Sequence, residues 1–135
     1  MVSQRQCAKT QGPSLMVAWQ DLPWKHIHRH VFRLQKRMYR ATQRGDVRTA
    51  RKLQKLLVKS WYARLLAVRR VTQDNRGKRT AGIDGVKSLP PPKRLALAHA
   101  LRLEGKAAPL RRTWIPKPGS PDKRPLGIPT QADRA

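Results

Sequence analysis

The stretch that decides the fold is Trp24-Lys-His-Ile-His-Arg-His-Val-Phe-Arg-Leu-Gln-Lys-Arg-Met-Tyr-Arg-Ala-Thr-Gln-Arg44, followed at once by Gly45-Asp46. At about 100° per residue, Trp24, Ile27, Val31, Leu34, Met38 and Ala41 fall within one arc of roughly 100°. Lys25, Arg29, Arg33, Lys36, Arg37, Arg40 and Arg44 lie on the other side, with no acid among them. This spacing predicts a helix over residues 24–44, with Asp21 supplying a capping oxygen and Pro23 a ring suited to the first turn. Gly45 suits the left-handed position that ends a helix, and Asp46 can cap a second one over residues 47–71.

The second helix repeats the design less cleanly. Val47, Ala50, Leu53, Leu57, Trp61, Leu65 and Val68 make its apolar side, and Arg48, Arg51, Lys52, Lys55, Lys59, Arg69 and Arg70 the other. Arg64 falls inside the apolar arc, where it either snorkels or meets a partner group. Joined across Gly45-Asp46, the two helices are expected to form a basic antiparallel hairpin. Trp24, Trp61 and the aliphatic stripe read as packing residues rather than base-stacking platforms. Arg29/Arg33, Lys36/Arg40 and Arg40/Arg44 are like charges at i,i+4, which costs helix stability, so an anionic partner is expected to offset them.

Composition points the same way. Lys and Arg number 31 against 7 Asp and Glu, a formal charge of +24 on 135 residues. A compact domain with that imbalance repels itself and attracts polyanions, nucleic acid before an anionic membrane surface. No apolar run approaches the roughly 18 residues of a membrane span. The first twenty residues carry Arg5 and Lys9 but no continuous apolar segment, so a secretory signal is not expected. The single Cys7 has no internal disulfide partner, and no Cys/His spacing suggests zinc.

Outside the helix pair, residues 1–20 read as a flexible N-terminal segment with Trp19 as its one anchored residue. Residues 21–135 then form one domain: a helical extension over 21–72, a loop over 73–92, and a short helix and hairpin over 93–135. The short helix is expected over 93–104, closed by Gly105, although its Leu-Ala-Leu-Ala stretch also alternates. Strands are expected over 110–115 and 124–128, around a Pro/Gly loop at 116–122. The fold class is therefore mainly α (α+β), with exposed edges on the terminal hairpin.

Three groups of residues invite a chemical reading. His26, His28 and His30 stand at i,i+2 steps, which spread over different helix faces, so they are read as surface or phosphate-contacting residues and no metal site is assigned. Two-metal chemistry needs convergent carboxylates, and nothing pairs Asp21, Asp46, Asp74, Asp84, Glu104, Asp122 and Asp133. No Ser or Cys lies in a nucleophile motif, so no catalytic residue is assigned and the chain alone is expected to be inactive. Lys117 and Arg124 flank the hairpin loop, where cations can straddle a phosphate chain. The residues by themselves favour two more basic side chains among many. The expected RNA-binding set is Lys25, Arg29, Arg33, Lys36, Arg37, Arg40, Arg44, Arg48, Lys52, Lys55, Lys59, Arg69, Arg70, Arg76, Lys78 and Arg79.

Several segments, in order, resemble one family, the reverse transcriptase/maturase proteins encoded by group II introns. Val31-Phe-Arg-Leu-Gln-Lys-Arg-Met-Tyr-Arg-Ala41 looks like its first helix; Leu53-Gln-Lys-Leu-Leu57, Ser60 and Leu66-Ala-Val-Arg-Arg-Val-Thr72 look like its second. Asn75-Arg-Gly-Lys-Arg-Thr-Ala-Gly-Ile-Asp-Gly85 is similar to the loop of the amino-terminal extension. Arg112-Thr-Trp-Ile-Pro-Lys117, Lys123-Arg-Pro-Leu-Gly-Ile-Pro-Thr130 and Asp133-Arg134 resemble the first conserved block of the fingers.

The resemblance implies a grip on structured intron RNA by the helix pair. It places the loop Gly82, Ile83, Asp84 and Gly85 near the template, and gives Lys117 and Arg124 the triphosphate of an incoming nucleotide, in a complete enzyme only. It implies RNA-directed DNA polymerase ancestry, with Mg2+ expected for the complete enzyme and no cofactor in this chain. The palm carboxylates and the thumb are not in this sequence, so a separately encoded palm/thumb portion is one expected partner. Gly119-Ser-Pro-Asp122 departs from the simple turn usual there, and the spacer between Gly85 and Pro90 is short. The expected location is the cytoplasm or nucleoid of a bacterium, with an organelle as the alternative. The competing reading is a free-standing basic RNA-binding accessory or ribosome-associated protein with no polymerase role.

Overall fold

The computed structural model describes residues 18–103 and 105–135. Most of the expected lead-in, residues 1–17, and Glu104 therefore lie outside the described residues. The chain is mainly helical, with a two-stranded hairpin near its C-terminus, as its patterning leads one to expect, and a short helical turn after it.

Helix α1 runs Trp24–Gln43, but Asp21 does not cap it. Asp21 instead closes a 3-10 turn, Trp19–Asp21, and the cap position falls to Pro23, with no side-chain cap bond. Burial of Trp19 explains the shift. Its ring is 4% exposed, meets Trp24 edge-on at 4.9 Å, and its Nε1 donates to Gln73 Oε1 at 3.0 Å. Anchoring that side chain fixes the approach of the chain and takes Asp21 out of capping position.

The other end of α1 follows the sequence closely. Gly45 takes φ +72°, its N–H bonds the Thr42 carbonyl at 3.0 Å, and the Asp46 N–H bonds that of Ala41 at 2.9 Å. These are the two bonds of a Schellman ending. The Asp46 carboxylate then accepts from the Thr49 N–H at 3.0 Å and caps helix α2, Val47–Lys59. One residue thus ends one helix and starts the next, and α2 folds back on α1 with Leu34, Ala41, Ala50 and Leu53 buried. Val47 is 56% exposed, although the wheel set it on the apolar side. It sits in the first turn beside the link, where α1 has already ended.

The expected continuous helix over 47–71 is two helices. Ser60 is extended (φ −67°, ψ 128°) and separates α2 from α3, Trp61–Arg69, after which a π-helical turn spans Arg70–Asp74. The reason is a change of environment. α2 is a surface helix with one buried face, whereas α3 lies between α1 and a fourth helix, α4 (Pro91–Ala100), so nearly all of its residues are half-buried or buried. A straight helix would carry one stripe through both settings; the break at Ser60 resets it. Arg64, on the apolar arc, is half-buried and reaches back to the Lys59 carbonyl at 3.5 Å.

Helix α4 runs Pro91–Ala100, shorter than the expected 93–104. Pro91 and Pro92 occupy the first turn, where a missing N–H costs nothing. Leu101 then turns extended and packs on the core, while Arg102 donates to the carbonyls of His99 and Leu101 at 3.0 and 3.1 Å. The core is small: Trp19, Ile27, Leu65, Val68 and Ala98, with Trp24, Trp61 and Tyr62 packed around it.

Strands β1, Arg111–Pro116, and β2, Lys123–Ile128, pair antiparallel from Arg111↔Ile128 to Pro116↔Lys123. The unusual loop has a physical account. Pro118-Gly119 form a turn closed by Ser120 N–H to the Lys117 carbonyl at 3.3 Å, with Gly119 at φ +73°. Ser120 Oγ donates to Asp122 Oδ2 at 2.9 Å and accepts from the Asp122 N–H at 3.2 Å, locking the return. A short helix α5, Gln131–Arg134, was not expected. Thr130 caps it, accepting from the Asp133 N–H at 3.1 Å, and Thr-x-x-Asp is the sequence signal that could have found it.

Candidate nucleic-acid interface

All seven cations assigned to α1 are exposed: Lys25, Arg29, Arg33, Lys36, Arg37, Arg40 and Arg44. Ile27, Val31, Leu34 and Ala41 are buried on the opposite side, so the wheel separates charge from core as its spacing demands. On α2, Arg48, Arg51, Lys52, Lys55 and Lys59 are likewise exposed. Because α2 folds back along α1, the two faces belong to one side-by-side helix pair, and each contributes an uninterrupted run of cations.

The carboxylates of the described residues do not neutralise these faces. Among the described residues one ion pair forms, Arg69 Nε to Asp74 Oδ2 at 3.6 Å. Four other acids accept from backbone or hydroxyl groups. Asp46 caps α2; Asp84 accepts from the Val86 N–H at 3.1 Å; Asp122 holds Ser120; and Asp133 accepts from Thr130 Oγ1 at 2.7 Å and the Ala108 N–H at 3.1 Å. The hydrogen bonds from Thr49 hold the Asp46 carboxyl below the usual carboxylate range, with smaller help from Arg44 and Lys52. Among the described residues, negative charge thus sits at turns and caps, and no carboxylate pairs with the cations of α1 and α2.

Not every cation in the expected set faces outward. Arg69 is half-buried, its guanidinium 4.5 Å over the Trp24 ring and its Nε beside Asp74. Lys78 Nζ donates to the Gln73 carbonyl at 2.7 Å. Arg70, Arg76 and Arg79 are exposed, and Arg76 and Arg79 line an open depression with Asp74 and Lys78. Arg94 was outside the expected set: it donates to the Leu89 carbonyl at 2.8 Å and to Gln73 Oε1 at 3.1 Å. Gln73 therefore accepts from Trp19, Arg94 and Lys78, tying the entry turn, α4 and the basic loop together. No local pattern in sequence announces such a hub.

The loop Gly82, Ile83, Asp84 and Gly85 divides in two. Gly82 is buried: a Cβ there would lie 2.7 Å from Thr130 Cα and 2.8 Å from its N, so the glycine allows backbone to approach backbone. Ile83, Asp84 and Gly85 are exposed, with Gly85 at φ +72° and its N–H 3.3 Å from the Gly82 carbonyl. Lys117 and Arg124 are exposed near the tip of the β1–β2 hairpin, Lys117 just past Pro116 and Arg124 opposite Ile115.

The histidines are arranged differently from the i,i+2 reading. His26 and His30, four residues apart, both set their rings edge-on to Tyr62, at 5.5 and 4.8 Å, while His99 lies 4.4 Å from Trp61. Their sequence positions carried this i,i+4 relation, which alternate spacing obscured. Among the described residues no three His, Cys, Asp or Glu side chains stand together as a metal site, so the residues present do not fit a two-metal centre. No described helix is long and apolar enough to cross a membrane.

Comparison with known proteins agrees with the helical region. The family described as the N-terminal domain of reverse transcriptase matches residues 19–101, which takes in α1 to α4 and stops before the hairpin. Maturase-like protein 1 of Euglena gracilis is 36% identical over 84 residues, 62% of this chain and 18% of that protein. Maturase-like protein 1 of Euglena longa is 33% identical over 69 residues, 51% of this chain and 15% of that protein. The chain thus spans less than a fifth of either relative. With that match spanning the entry turn, all four main helices and the loop between them, the chain belongs to the family of reverse transcriptase N-terminal domains.

Proposed function

We propose that the chain binds structured RNA through the exposed cations of α1 and α2, as the N-terminal part of a group II intron reverse transcriptase/maturase. The observation that carries this reading is charge without counter-charge. Twelve cations on two adjoining helices are exposed, and none forms an ion pair among the described residues. Structured RNA presents closely spaced phosphates, and counterion release makes such a surface bind it strongly. Intron RNA is favoured because the relatives are named maturase-like proteins.

Polymerisation, intron splicing and mobility belong, on this reading, to the complete protein, with Lys117 and Arg124 meeting triphosphate there. Mg2+ would be held by palm carboxylates outside this chain, supplied by a separately encoded or contiguous palm/thumb portion. The chain would act where intron RNA is made, in a bacterial cytoplasm or nucleoid, or in an organelle. Titration of the full chain against a folded intron fragment at several salt concentrations tests the proposal. A steep negative slope of log affinity on log salt is expected, with charge reversal at Arg33, Arg37 and Arg40 weakening binding far more than His26→Gln. A flat slope, or equal effects, would overturn it.

A further inference from the structure

Phe32 is the chain's only phenylalanine, and it is 61% exposed on a helix whose apolar residues are otherwise mostly buried. It lines an open groove of about 590 Å³ between α1, the end of α2 and α3. Leu57 and Leu66 give the groove an apolar lining, Gln35 stands beside Phe32, and Arg29 and Arg70 also line it. Both arginines are exposed, neither is ion-paired among the described residues, and no carboxylate is among the groove's described lining residues. One further aromatic, Tyr39, is 63% exposed seven residues along α1, which is two turns further on the same flank.

We propose that this groove receives an unpaired nucleobase of the bound RNA, stacked on Phe32, with the flanking phosphates on Arg29 and Arg70. The proposal rests on the RNA-binding reading of the helix faces and names what they would recognise beyond charge. The residue types fit that ligand in each part. A planar base needs an aromatic face and a dry floor; its edge needs a group that both donates and accepts, which the Gln35 amide does. The phosphates on either side need planar, permanently charged donors, which guanidinium groups supply. Within a continuous duplex each base has its edge paired and its faces covered by stacked neighbours, so the groove selects bulges and loops. An apolar protein segment would satisfy Leu57 and Leu66 but leave the two arginines without anionic partners.

The test uses the full chain and two RNA stems of equal length, one fully paired and one carrying a single unpaired 2-aminopurine. Binding of the bulged stem is expected to quench the 2-aminopurine fluorescence as the base stacks. Phe32→Ala is expected to weaken binding to the bulged stem about ten-fold, leave the paired stem within two-fold, and abolish the quench. Phe32→Trp, which keeps an aromatic face at an exposed site, is expected to retain both the affinity and the quench. If Phe32→Ala leaves both stems unchanged, the groove does not take a base and is free for a protein partner, which overturns the proposal. Equal weakening of both stems also overturns it. The parent reading fails separately, by loss of the salt dependence on the paired stem.

Discussion

The guanidinium of Arg134 donates to the Gly77 carbonyl at 2.9 Å, and the same group reaches Thr80 O at 2.9 Å and Pro129 O at 2.8 Å. Gln131 Nε2 adds a bond to the Lys78 carbonyl at 3.2 Å. The last turn of the chain therefore clamps the basic loop that carries Arg76 and Arg79, more than fifty residues earlier. Arg134 acts as a planar fork over several carbonyls, a task that an ammonium group performs poorly.

Arg134→Lys is expected to cost about 2 kcal/mol, because an ammonium group cannot bridge all three carbonyls that the charged fork satisfies. Hydrogen exchange localises the effect. Amides of residues 76–85 should lose protection, while those of α1 keep theirs. Equal exchange across the whole chain would show that the clamp is not local.

Gly82 and Gly85 separate two reasons for a glycine. Gly82→Ala drives a Cβ into the Thr130 backbone at 2.7 Å, where no side chain can yield, whereas at Gly85 nothing lies within 4 Å and only φ +72° resists substitution. Gly85→Ala is therefore expected to cost about 1 kcal/mol. Gly82→Ala should cost about 2–3 kcal/mol and release the Gln131–Arg134 turn. Denaturant melts of the two variants compare the costs, and exchange at Ala132–Ala135 reports the release.

What is legible in the sequence follows from local chemistry. The α1 wheel, the Gly45 ending and the Asp46 cap rest on residues within one or two turns of each other. Their expected bounds agree with the structure to within a residue, as do those of the hairpin strands. The break at Ser60 is not legible, because Leu53, Leu57, Trp61 and Leu65 keep helical spacing across it; only packing between α1 and α4 makes two helices of them. Asp21 gives a cap signal that Trp19 overrides by burying itself. Among site residues the wheel identifies the exposed cations. It does not tell Arg69, which stacks on Trp24, from Arg70 next to it, which is exposed. Gln73 and Arg134 act through partners far along the chain, and no periodicity reports them.

Arg69 supplies a test of that distinction. Arg69→Met keeps much of the packing against Trp24 but removes the cation over the ring and the pair with Asp74, for an expected cost of about 1 kcal/mol. Its effect on RNA affinity should be much smaller than that of Arg70→Met. Melting and RNA titration of the two neighbours, measured together, check both halves. If Arg69→Met weakens RNA binding as much as its neighbour does, its side chain leaves Trp24 in the complex.

Asp46 gives the stability a pH dependence of known sign. Its folded-state carboxyl is held below the ordinary value, first by the bonds from Thr49. A depressed carboxylate stabilises fully above its unfolded value of about 3.9 and loses that contribution as pH falls through the lower folded value. Melting temperature should thus decline below about pH 4, and Asp46→Ala should flatten that part of the decline while lowering stability at neutral pH by a few degrees. Asp46→Asn, which caps without ionising, should keep most of the neutral-pH stability and still flatten the acid limb. An unchanged acid limb in Asp46→Asn would place the titration elsewhere.

The like charges along α1 set stability against binding. Arg33 stands four residues from both Arg29 and Arg37, all three exposed, in the middle of the helix where no terminus offsets repulsion. Each such pair costs a few tenths of a kcal/mol, and Gln is about as good a helix former as Arg. Arg33→Gln is therefore expected to stabilise the free protein by about 0.5 kcal/mol at low salt, with the gain shrinking as salt screens the repulsion. The same change should weaken RNA binding and reduce the slope of log affinity on log salt by about one for each phosphate that Arg33 neutralises. A protein stabilised and disabled by one substitution is what an RNA-facing cation predicts. If Arg33→Gln stabilises the chain and leaves the salt slope intact, that side of α1 faces solvent and the RNA-binding surface lies on α2.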